Sequence, residues 1–349
     1  MKALLLTAPN EFSVEEVPDP SPGSNEVLCK VHRVGICGTD VHMIQGHYPG
    51  MWPSYFPFIP GHEWTGEVVA LGDGAEDFGF AIGDRVAGSS HSPCSFCVNC
   101  VRGRYNLCVS YGNPRRHAHY GHTAQGSYAD YVVHSIRSVF KLPDALDYDQ
   151  AAIADPASIA LHTANRGGVR EGQSVVVIGA GPVGILAGDC ALALGASRVI
   201  FAARGSRLDV VGKLGFESID TNQGDPVAAL KQLVPLGADV VLDAAGTPQS
   251  IPLALSMLAR GGRCSTVGIP TEQVTLDLAA LVLDELELVG TRAVTGEVQS
   301  VLDLMADGRV RASELITHRF PLQDFASGLD AMANRTNGAI KVLIDMSLG

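Results

Sequence analysis

Residues with metal-ligating side chains stand in two motifs near the start of the chain. Cys37 opens the pattern C-G-T-D-x-H, and Gly61-His62-Glu63 follows twenty-five residues after Cys37. Sulfur, imidazole and carboxylate groups all bind zinc, and a catalytic zinc site needs a few protein ligands and one open position. A lone cysteine or histidine is more often a core residue. The two motifs together, however, favour a catalytic metal site at Cys37 and His62.

Three polar residues of the first motif suit the surroundings of such a site. Asp40 can accept a hydrogen bond from a ligating histidine and fix its tautomer. Thr39 and His42 supply a hydroxyl and an imidazole that could carry a proton to solvent. The pattern therefore predicts catalytic roles for all three.

A second cluster consists of four cysteines spaced C-x2-C-x2-C-x7-C. Four thiolates can close a tetrahedral shell around one zinc ion and leave no position for a substrate. The alternative is free or disulfide-linked thiols. The spacing favours a structural zinc lobe at about residues 91–110, with the ligands Cys94, Cys97, Cys100 and Cys108.

A glycine-rich turn follows the apolar run Ser174–Ile178 and precedes a helical pattern, Val183–Leu194. G-x-G-x-x-G between a strand and a helix is typical of dinucleotide-binding folds, because the glycines let a pyrophosphate approach the backbone and the helix N-terminus. The residues predicted to bind the cofactor here are Gly179, Gly181, Pro182, Val183 and Gly184.

The end of the next strand determines which nicotinamide cofactor is favoured. NAD enzymes normally carry Asp or Glu there, but this chain has Ala203, followed by Arg204, Ser206 and Arg207. Guanidinium groups suit a 2′-phosphate by charge and geometry. The sequence therefore favours NADP(H) over NAD(H), with solvated surface arginines as the alternative.

The pattern of apolar runs and turn-forming residues changes near residue 150. Before it, short strand-like runs are broken by Gly and Pro; after it, apolar strands alternate with helical patterns, which predicts a parallel sheet covered on both faces. The sequence thus predicts an α/β fold with a doubly wound domain and a β-rich domain. We place the β-rich catalytic domain at residues 1–154 and 291–349 and the dinucleotide-binding domain at residues 155–290. The other predicted strands are Glu26–Val34, Thr65–Leu71, Tyr128–Val133, Arg198–Ala202, Asp239–Asp243, Gly262–Val267 and Ala339–Asp345. The other predicted helices are Leu208–Leu214, Ile251–Leu258 and Leu322–Ala333.

The overall composition excludes some partners. The 349 residues carry a formal charge of −12 with no basic run, so nucleic acid is not expected. The apolar segment Val175–Phe201 contains five glycines and two charged residues, which favours a strand, turn and helix over a membrane span. No export signal is evident, so we expect a cytoplasmic protein.

Together these motifs resemble the zinc-containing medium-chain dehydrogenase/reductase family, over essentially the whole chain. The polyol (sorbitol-like) and threonine dehydrogenase branches are the most similar. The resemblance implies a Rossmann domain and a GroES-like catalytic domain. It also implies that Cys37, His62 and Glu63 bind the catalytic zinc, that the four clustered cysteines hold a structural zinc, and that Thr39 and His42 relay protons.

One position departs from the family pattern. The polyol and threonine branches have Glu-Pro just before the second domain, whereas this chain has Asp155-Pro156. Asp is one methylene shorter, so direct ligation of the zinc and ligation through a water both stay open. The resemblance also assigns cofactor contacts to Val183, Val267, Gly268, Gly290 and Thr291. It further implies a homodimer or homotetramer.

The expected reaction transfers a hydride between a polyol or other secondary alcohol and NADP(+) or NAD(+), giving the ketone. Oxidation of an amino alcohol such as threonine is the main alternative. A non-catalytic NADPH-binding protein is a remote one.

Overall fold

The structure is a computed structural model that describes residues 1–48, 50–270 and 272–348. Its strands are β1 (Lys2–Ala8), β2 (Glu11–Glu16), β3 (Glu26–Ile36), β4 (Glu63–Leu71), β5 (Arg85–Gly88), β6 (His91–Ser92), β7 (Ala118–His119), β8 (Tyr131–Ser135), β9 (Val139–Lys141), β10 (Ser174–Ile178), β11 (Arg198–Ala203), β12 (Glu217–Asp220), β13 (Ala238–Asp243), β14 (Leu258–Thr266), β15 (Glu287–Gly290), β16 (Ile316–Phe320) and β17 (Lys341–Asp345). Its α-helices are α1 (Gly38–Ile44), α2 (Val98–Val101), α3 (Tyr148–Ala151), α4 (Ala154–Gly167), α5 (Pro182–Ala193), α6 (Arg207–Lys213), α7 (Pro226–Leu233), α8 (Ser250–Ser256), α9 (Leu278–Leu283), α10 (Glu297–Ala306) and α11 (Phe325–Asn334).

The chain divides into two compact units. The first comprises Met1–Asp155, Val294–Ala306 and Ala312–Gly349, and the second comprises Pro156–Ala293 and Asp307–Arg311. This division lies one residue from the sequence-based boundary at 154/155 and three residues from that at 290/291. The sequence did not indicate the short return of 307–311 to the second unit. The return is explained by Arg311, which donates its backbone N–H and its guanidinium to the buried carboxylate of Asp189.

The first unit is β-rich. Its main sheet has the order β16-β17-β3-β4-β5-β9, and β8 pairs with β3 beside this path. Strand β17 lies antiparallel to β3, with Val342 opposite Ile36, so the end of the chain joins the sheet that carries the first ligand motif. Buried apolar side chains such as Trp64 and Phe325 fill the core.

The second unit is a six-stranded sheet with the order β12-β11-β10-β13-β14-β15, in which every pair is parallel. Val175, Val176 and Val177 of the central strand β10 are fully buried, as expected for a sheet covered on both faces. The order reverses beside β10, and such a switch point is where open α/β sheets bind ligands. The predicted α/β fold class is thus present.

Several predicted elements have different bounds in the structure; Gly262–Val267, for example, corresponds to the longer strand β14 (Leu258–Thr266). The predicted strand Tyr128–Val133 begins only at Tyr131, because Tyr128 pairs its backbone with Pro60 instead. The predicted helix Ile251–Leu258 ends at Ser256, because Leu258 already pairs with Ala238 in the sheet. The predicted helix Leu322–Ala333 begins with a 3-10 turn and becomes α-helical at Phe325.

Across the described residues, no helix has both the length and the apolar character needed to cross a membrane.

Candidate metal centres and cofactor-binding turn

Cys37, His62 and Glu63 converge at one end of the β3–β4 pair. Cys37 follows β3 and is the N-cap of α1, while Glu63 begins β4 directly opposite Gly35. One ligand atom from each of the three residues lies within 4.8 Å of the others. His62 and Glu63 are buried and Cys37 is partly exposed. The antiparallel register therefore assembles a sulfur, a nitrogen and an oxygen donor.

Asp40 lies beside the ring of His62. The carboxylate is fully buried, and its Oδ1 lies 3.5 Å from Nδ1 of His62. Its Oδ2 accepts the backbone N–H of Cys37 at 2.9 Å. Burial alone would raise the pKa of Asp40, but His62 and the Cys37 N–H together lower it, so the carboxylate stays charged. This leaves Nε2 of His62 as the nitrogen that can bind a metal.

Glu63 has a partner that the sequence motifs do not reveal. Its Oε2 accepts a hydrogen bond from Nζ of Lys341 at 2.6 Å, and Lys341 also donates to the carbonyl of Ile36. Both charged side chains are at most 2% exposed. Because Lys341 competes with a metal for the same carboxylate, ligation by Glu63 stays a prediction. The signal available in the sequence was a charged residue at the start of the strand KVLID, directly before three apolar residues.

Asp155 stands outside the group of three. It is buried and accepts hydrogen bonds from the backbone N–H and the hydroxyl of Ser90, at 3.2 and 3.3 Å. Burial raises its pKa to about 6. The role of Asp155 as a zinc ligand stays a prediction.

Thr39 and His42 lie on α1, next to the Cys37 cap. The Thr39 hydroxyl is 3.7 Å from the sulfur of Cys37. His42 is exposed, and its Nδ1 lies 3.0 Å from Nδ1 of His47. Burial, and then His47, lowers the pKa of His42, which favours the neutral form of the ring, the form that has a free acceptor nitrogen. His47 therefore extends the predicted path towards solvent.

A column of stacked imidazoles continues from the metal-binding group. The ring of His122 lies 4.6 Å from that of His62, and His119 stacks on His122 at 3.7 Å with nearly parallel planes. His91 stacks on His119 at 4.1 Å. Burial lowers the pKa of His122 to about 3 and that of His119 well below its ordinary value, so these rings are neutral.

The side chains of the four clustered cysteines also converge. The sulfur atoms of Cys97 and Cys100 are 3.4 Å apart, and those of Cys94 and Cys100 are 3.9 Å apart. All four cysteines, Cys108 included, place their sulfurs within 4.8 Å of one another. None of them forms a disulfide. The donor set and its spacing fit a closed tetrahedral zinc site.

The glycine turn has the geometry that a pyrophosphate needs. Gly179 adopts a φ of +94°, and a Cβ on Gly184 would lie 2.0 Å from the carbonyl oxygen of Gly179. Gly181 is the N-cap of α5, with Pro182 in the first turn. A Cβ on Gly181 would meet only the Arg207 guanidinium, at 3.9 Å, so this position opens onto free space at the helix N-terminus. The turn therefore fits an anionic dinucleotide.

The two candidate arginines at the end of β11 differ in their surroundings. Arg207 donates from Nη1 to the carbonyl of Ala180 at 2.6 Å, so it braces the glycine turn. Arg204 is exposed, just beyond the buried Ala203 that ends the strand. Ser206 is the N-cap of α6. Arg204 is thus the guanidinium available to a ligand.

The remaining predicted cofactor residues also lie at the carboxyl ends of the strands. Val267 and Gly268 follow β14 and donate their N–H groups to the carbonyl of Asp243. Gly290 ends β15, and the hydroxyl of Thr291 is 2.8 Å from that of Ser265. These positions and the glycine turn therefore share one edge of the sheet, where such folds bind dinucleotides.

Comparison with known proteins matches both halves of this description. Residues 23–144 match the alcohol dehydrogenase GroES-like domain and residues 182–307 match the zinc-binding dehydrogenase domain. A sorbitol dehydrogenase of Bombyx mori is 34% identical, with 98% of this chain and 97% of that protein covered. An L-threonine 3-dehydrogenase of Yersinia pestis is also 34% identical, with coverage of 97% and 98%.

The chain belongs to the zinc-containing medium-chain alcohol dehydrogenase family. Among solved structures, the alcohol dehydrogenase TADH from Thermus sp. ATN1 has a TM-score of 0.90 at 32% identity, covering 99% of both chains. The predicted family, the Rossmann plus GroES-like fold and the predicted enzyme class are confirmed. The protein is an NAD(P)-dependent alcohol oxidoreductase of the zinc type, a class that includes both alcohol and polyol dehydrogenases.

Proposed function

We propose that this medium-chain dehydrogenase interconverts a polyol or other uncharged secondary alcohol and its ketone, with NADP(H) as the favoured cofactor and two zinc ions per chain. The observation that carries the proposal is the convergence of Cys37, His62 and Glu63, with Asp40 backing the histidine. Sulfur, imidazole and carboxylate donors at this spacing fit zinc.

The chain's own residues have separable roles. Cys37 and His62 would hold the ion, and Glu63 and Asp155 are candidates to complete its shell. Zinc when bound lowers the pKa of a substrate hydroxyl, and the nicotinamide exchanges a hydride with the substrate carbon.

The proton leaves along α1. The Thr39 hydroxyl would accept the proton of the substrate hydroxyl while releasing its own proton towards His42. The contact of His42 with His47 then offers a second acceptor at the surface.

The neutral histidine column supports an uncharged substrate. His122 and His119 lie beside His62 and remain neutral, so they offer hydrogen bonds but no positive charge for the carboxylate of an amino acid. A polyol requires only such hydrogen bonds. Initial rates on polyols, threonine and simple secondary alcohols test this, and a preference for threonine would favour the amino-alcohol alternative.

The NADP preference rests on Arg204. A charge-assisted hydrogen bond contributes about 1.5–3 kcal/mol, which is roughly a 10- to 100-fold change in affinity. We expect Arg204→Ala to lose that much affinity for NADPH and little for NADH. Arg207→Ala is the control, because its guanidinium braces the turn that both cofactors share. Equal losses for the two cofactors in Arg204→Ala would refute the proposal.

The decisive experiment is Cys37→Ser. We expect the variant to contain one zinc per chain instead of two, to bind NADPH normally in a fluorescence titration and to lose turnover. Cys29→Ser serves as a control, because Cys29 is buried in the core and stands outside both metal-ligating groups. A Cys37→Ser enzyme with near wild-type turnover would show that the site is wrongly assigned.

We also propose that the enzyme is a cytoplasmic homodimer or homotetramer. Strand β15 is the edge of the second unit's sheet, and Leu278, Val282 and Leu283 of the neighbouring α9 are 64%, 69% and 79% exposed. An open strand edge beside apolar side chains suits pairing with a second copy. Light scattering should show a smaller assembly for Val282→Asp than for the wild type, and an unchanged mass would contradict this interface.

A further inference from the structure

Tyr128 lies where the two ligand-bearing segments meet. Its side chain is completely buried, and its backbone N–H donates to the carbonyl of Pro60 at 3.1 Å. The preceding Ser127 donates to the carbonyl of Gly61 at 3.0 Å. Gly61 adopts a φ of +96°, and a Cβ there would lie 2.8 Å from the Tyr128 ring. The chain entering His62 is therefore packed directly against Tyr128.

The hydroxyl of Tyr128 reaches the other segment. It donates to Oδ2 of Asp40 at 2.9 Å and is 3.2 Å from the carbonyl oxygen of Gly35, two residues before Cys37. In this hydrogen bond the Tyr128 hydroxyl is the donor and the Asp40 carboxylate oxygen is the acceptor. Burial, and then Asp40, raises the pKa of Tyr128 well above its ordinary value, so the phenol keeps its proton.

These contacts fix one oxygen of the Asp40 carboxylate. Oδ2 accepts from Tyr128 and from the N–H of Cys37, each at 2.9 Å. A carboxylate held at one oxygen by two donors from different directions cannot swing, so Oδ1 stays directed at Nδ1 of His62. The orientation of a ligating imidazole depends on such a partner.

We infer that Tyr128 is a positioning residue for the catalytic zinc site: its hydroxyl, acting through Asp40, holds His62 in the orientation that binds the metal. This inference rests on the metal site of the proposed function and extends it by one residue. A phenylalanine would fill the same space without the hydrogen bond, so only the hydroxyl is at issue.

The test measures metal release rather than turnover. Wild-type and Tyr128→Phe holoenzymes are mixed with a chromogenic chelator, and zinc release is followed with time. Partners of metal ligands typically contribute 10- to 100-fold in metal affinity. Tyr128 acts on a metal ligand only indirectly, through that ligand's partner, so the effect should be smaller. We expect the zinc of the catalytic site to leave about 3- to 10-fold faster from Tyr128→Phe than from the wild type. The zinc of the four-cysteine cluster should leave at the wild-type rate.

Two controls separate positioning from general damage. Tyr120→Phe also removes a buried tyrosine hydroxyl, one that accepts from the backbone of Ser135, and should release zinc like the wild type. Asp40→Asn combined with Tyr128→Phe should release zinc no faster than Asp40→Asn alone, because the two groups act in series. Cobalt-substituted Tyr128→Phe should also show a shifted visible absorption band.

The outcomes are distinct. Wild-type release kinetics and an unchanged cobalt spectrum in Tyr128→Phe would overturn the inference, as would fully additive effects with Asp40→Asn. If Cys37→Ser still retained two zinc ions, the proposed function itself would fail instead.

Discussion

The buried Glu63–Lys341 pair gives the sharpest prediction. Replacing Lys341 by Met keeps most of the side-chain volume but removes the charge, leaving Glu63 buried without its cation. At an effective dielectric constant of 20, two unit charges 2.6 Å apart attract each other by about 6 kcal/mol. Desolvation of the two ions opposes this by several kcal/mol each, so the net value of the pair is small.

Removing one partner of the pair is strongly destabilising, because the remaining charge keeps its desolvation cost. We expect Lys341→Met to lower the free energy of unfolding by about 3–5 kcal/mol, and Glu63→Gln to have a comparable effect. The double variant Glu63→Gln/Lys341→Met leaves no unpaired charge in the core. It should therefore lose much less than the sum of the two single variants.

Urea denaturation followed by tryptophan fluorescence is a suitable assay. Both tryptophans, Trp52 and Trp64, lie in the first unit, so the signal reports the unit that contains the pair. The titrations are repeated with added zinc, which should stabilise Lys341→Met more than the wild type, since the freed Glu63 can then bind the metal. Strictly additive losses in the double variant would refute the argument, and equal zinc stabilisation of Lys341→Met and the wild type would show that Lys341 does not compete for Glu63.

Two further predictions concern the buried histidines and the cysteine lobe. His134 is fully buried between Trp64 and Tyr120, and burial lowers its pKa to about 3. Below the ordinary pKa of about 6.5 the unfolded chain binds this proton first, so His134 lowers stability by about 1.4 kcal/mol per pH unit as the pH falls towards 3. His134→Phe should therefore flatten the decline in urea midpoint between pH 7 and pH 5, and an unchanged decline would contradict the assignment. Cys108→Ala should reduce the zinc content from two to one per chain and expose the lobe to trypsin at the exposed Arg102 and Arg104; retention of two zinc ions and of trypsin resistance would count against a structural zinc.

The sequence was most informative where function depends on local spacing. The four cysteines and the glycine turn of residues 179–184 each form within a short segment, so their geometry follows from spacing and from the backbone freedom of glycine. Cys37 and His62 needed one further step, the pairing of β3 with β4. Both groups of candidate metal ligands converge in the folded chain, because each depends on no more than one long-range pairing.

The residues that were missed act over long sequence separations. Lys341 meets Glu63 across 278 residues, and Tyr128 meets Asp40 across 88. Neither belongs to a motif, because only the tertiary fold brings each of them to its partner. The helix predicted to run through Leu258 fails for a similar reason: apolar periodicity cannot reveal that this residue pairs with Ala238 on another strand.

The position of Lys341 also sets the order in which the enzyme can mature. The segments carrying Cys37 and Glu63 are synthesised well before the strand that neutralises Glu63, because Lys341 follows Glu63 by 278 residues. At about 5–20 residues per second, 278 residues take roughly 15 to 55 s to synthesise. For that interval Glu63 of the nascent chain lacks its cation, so the buried ion pair can form only after the strand that bears Lys341 has been made.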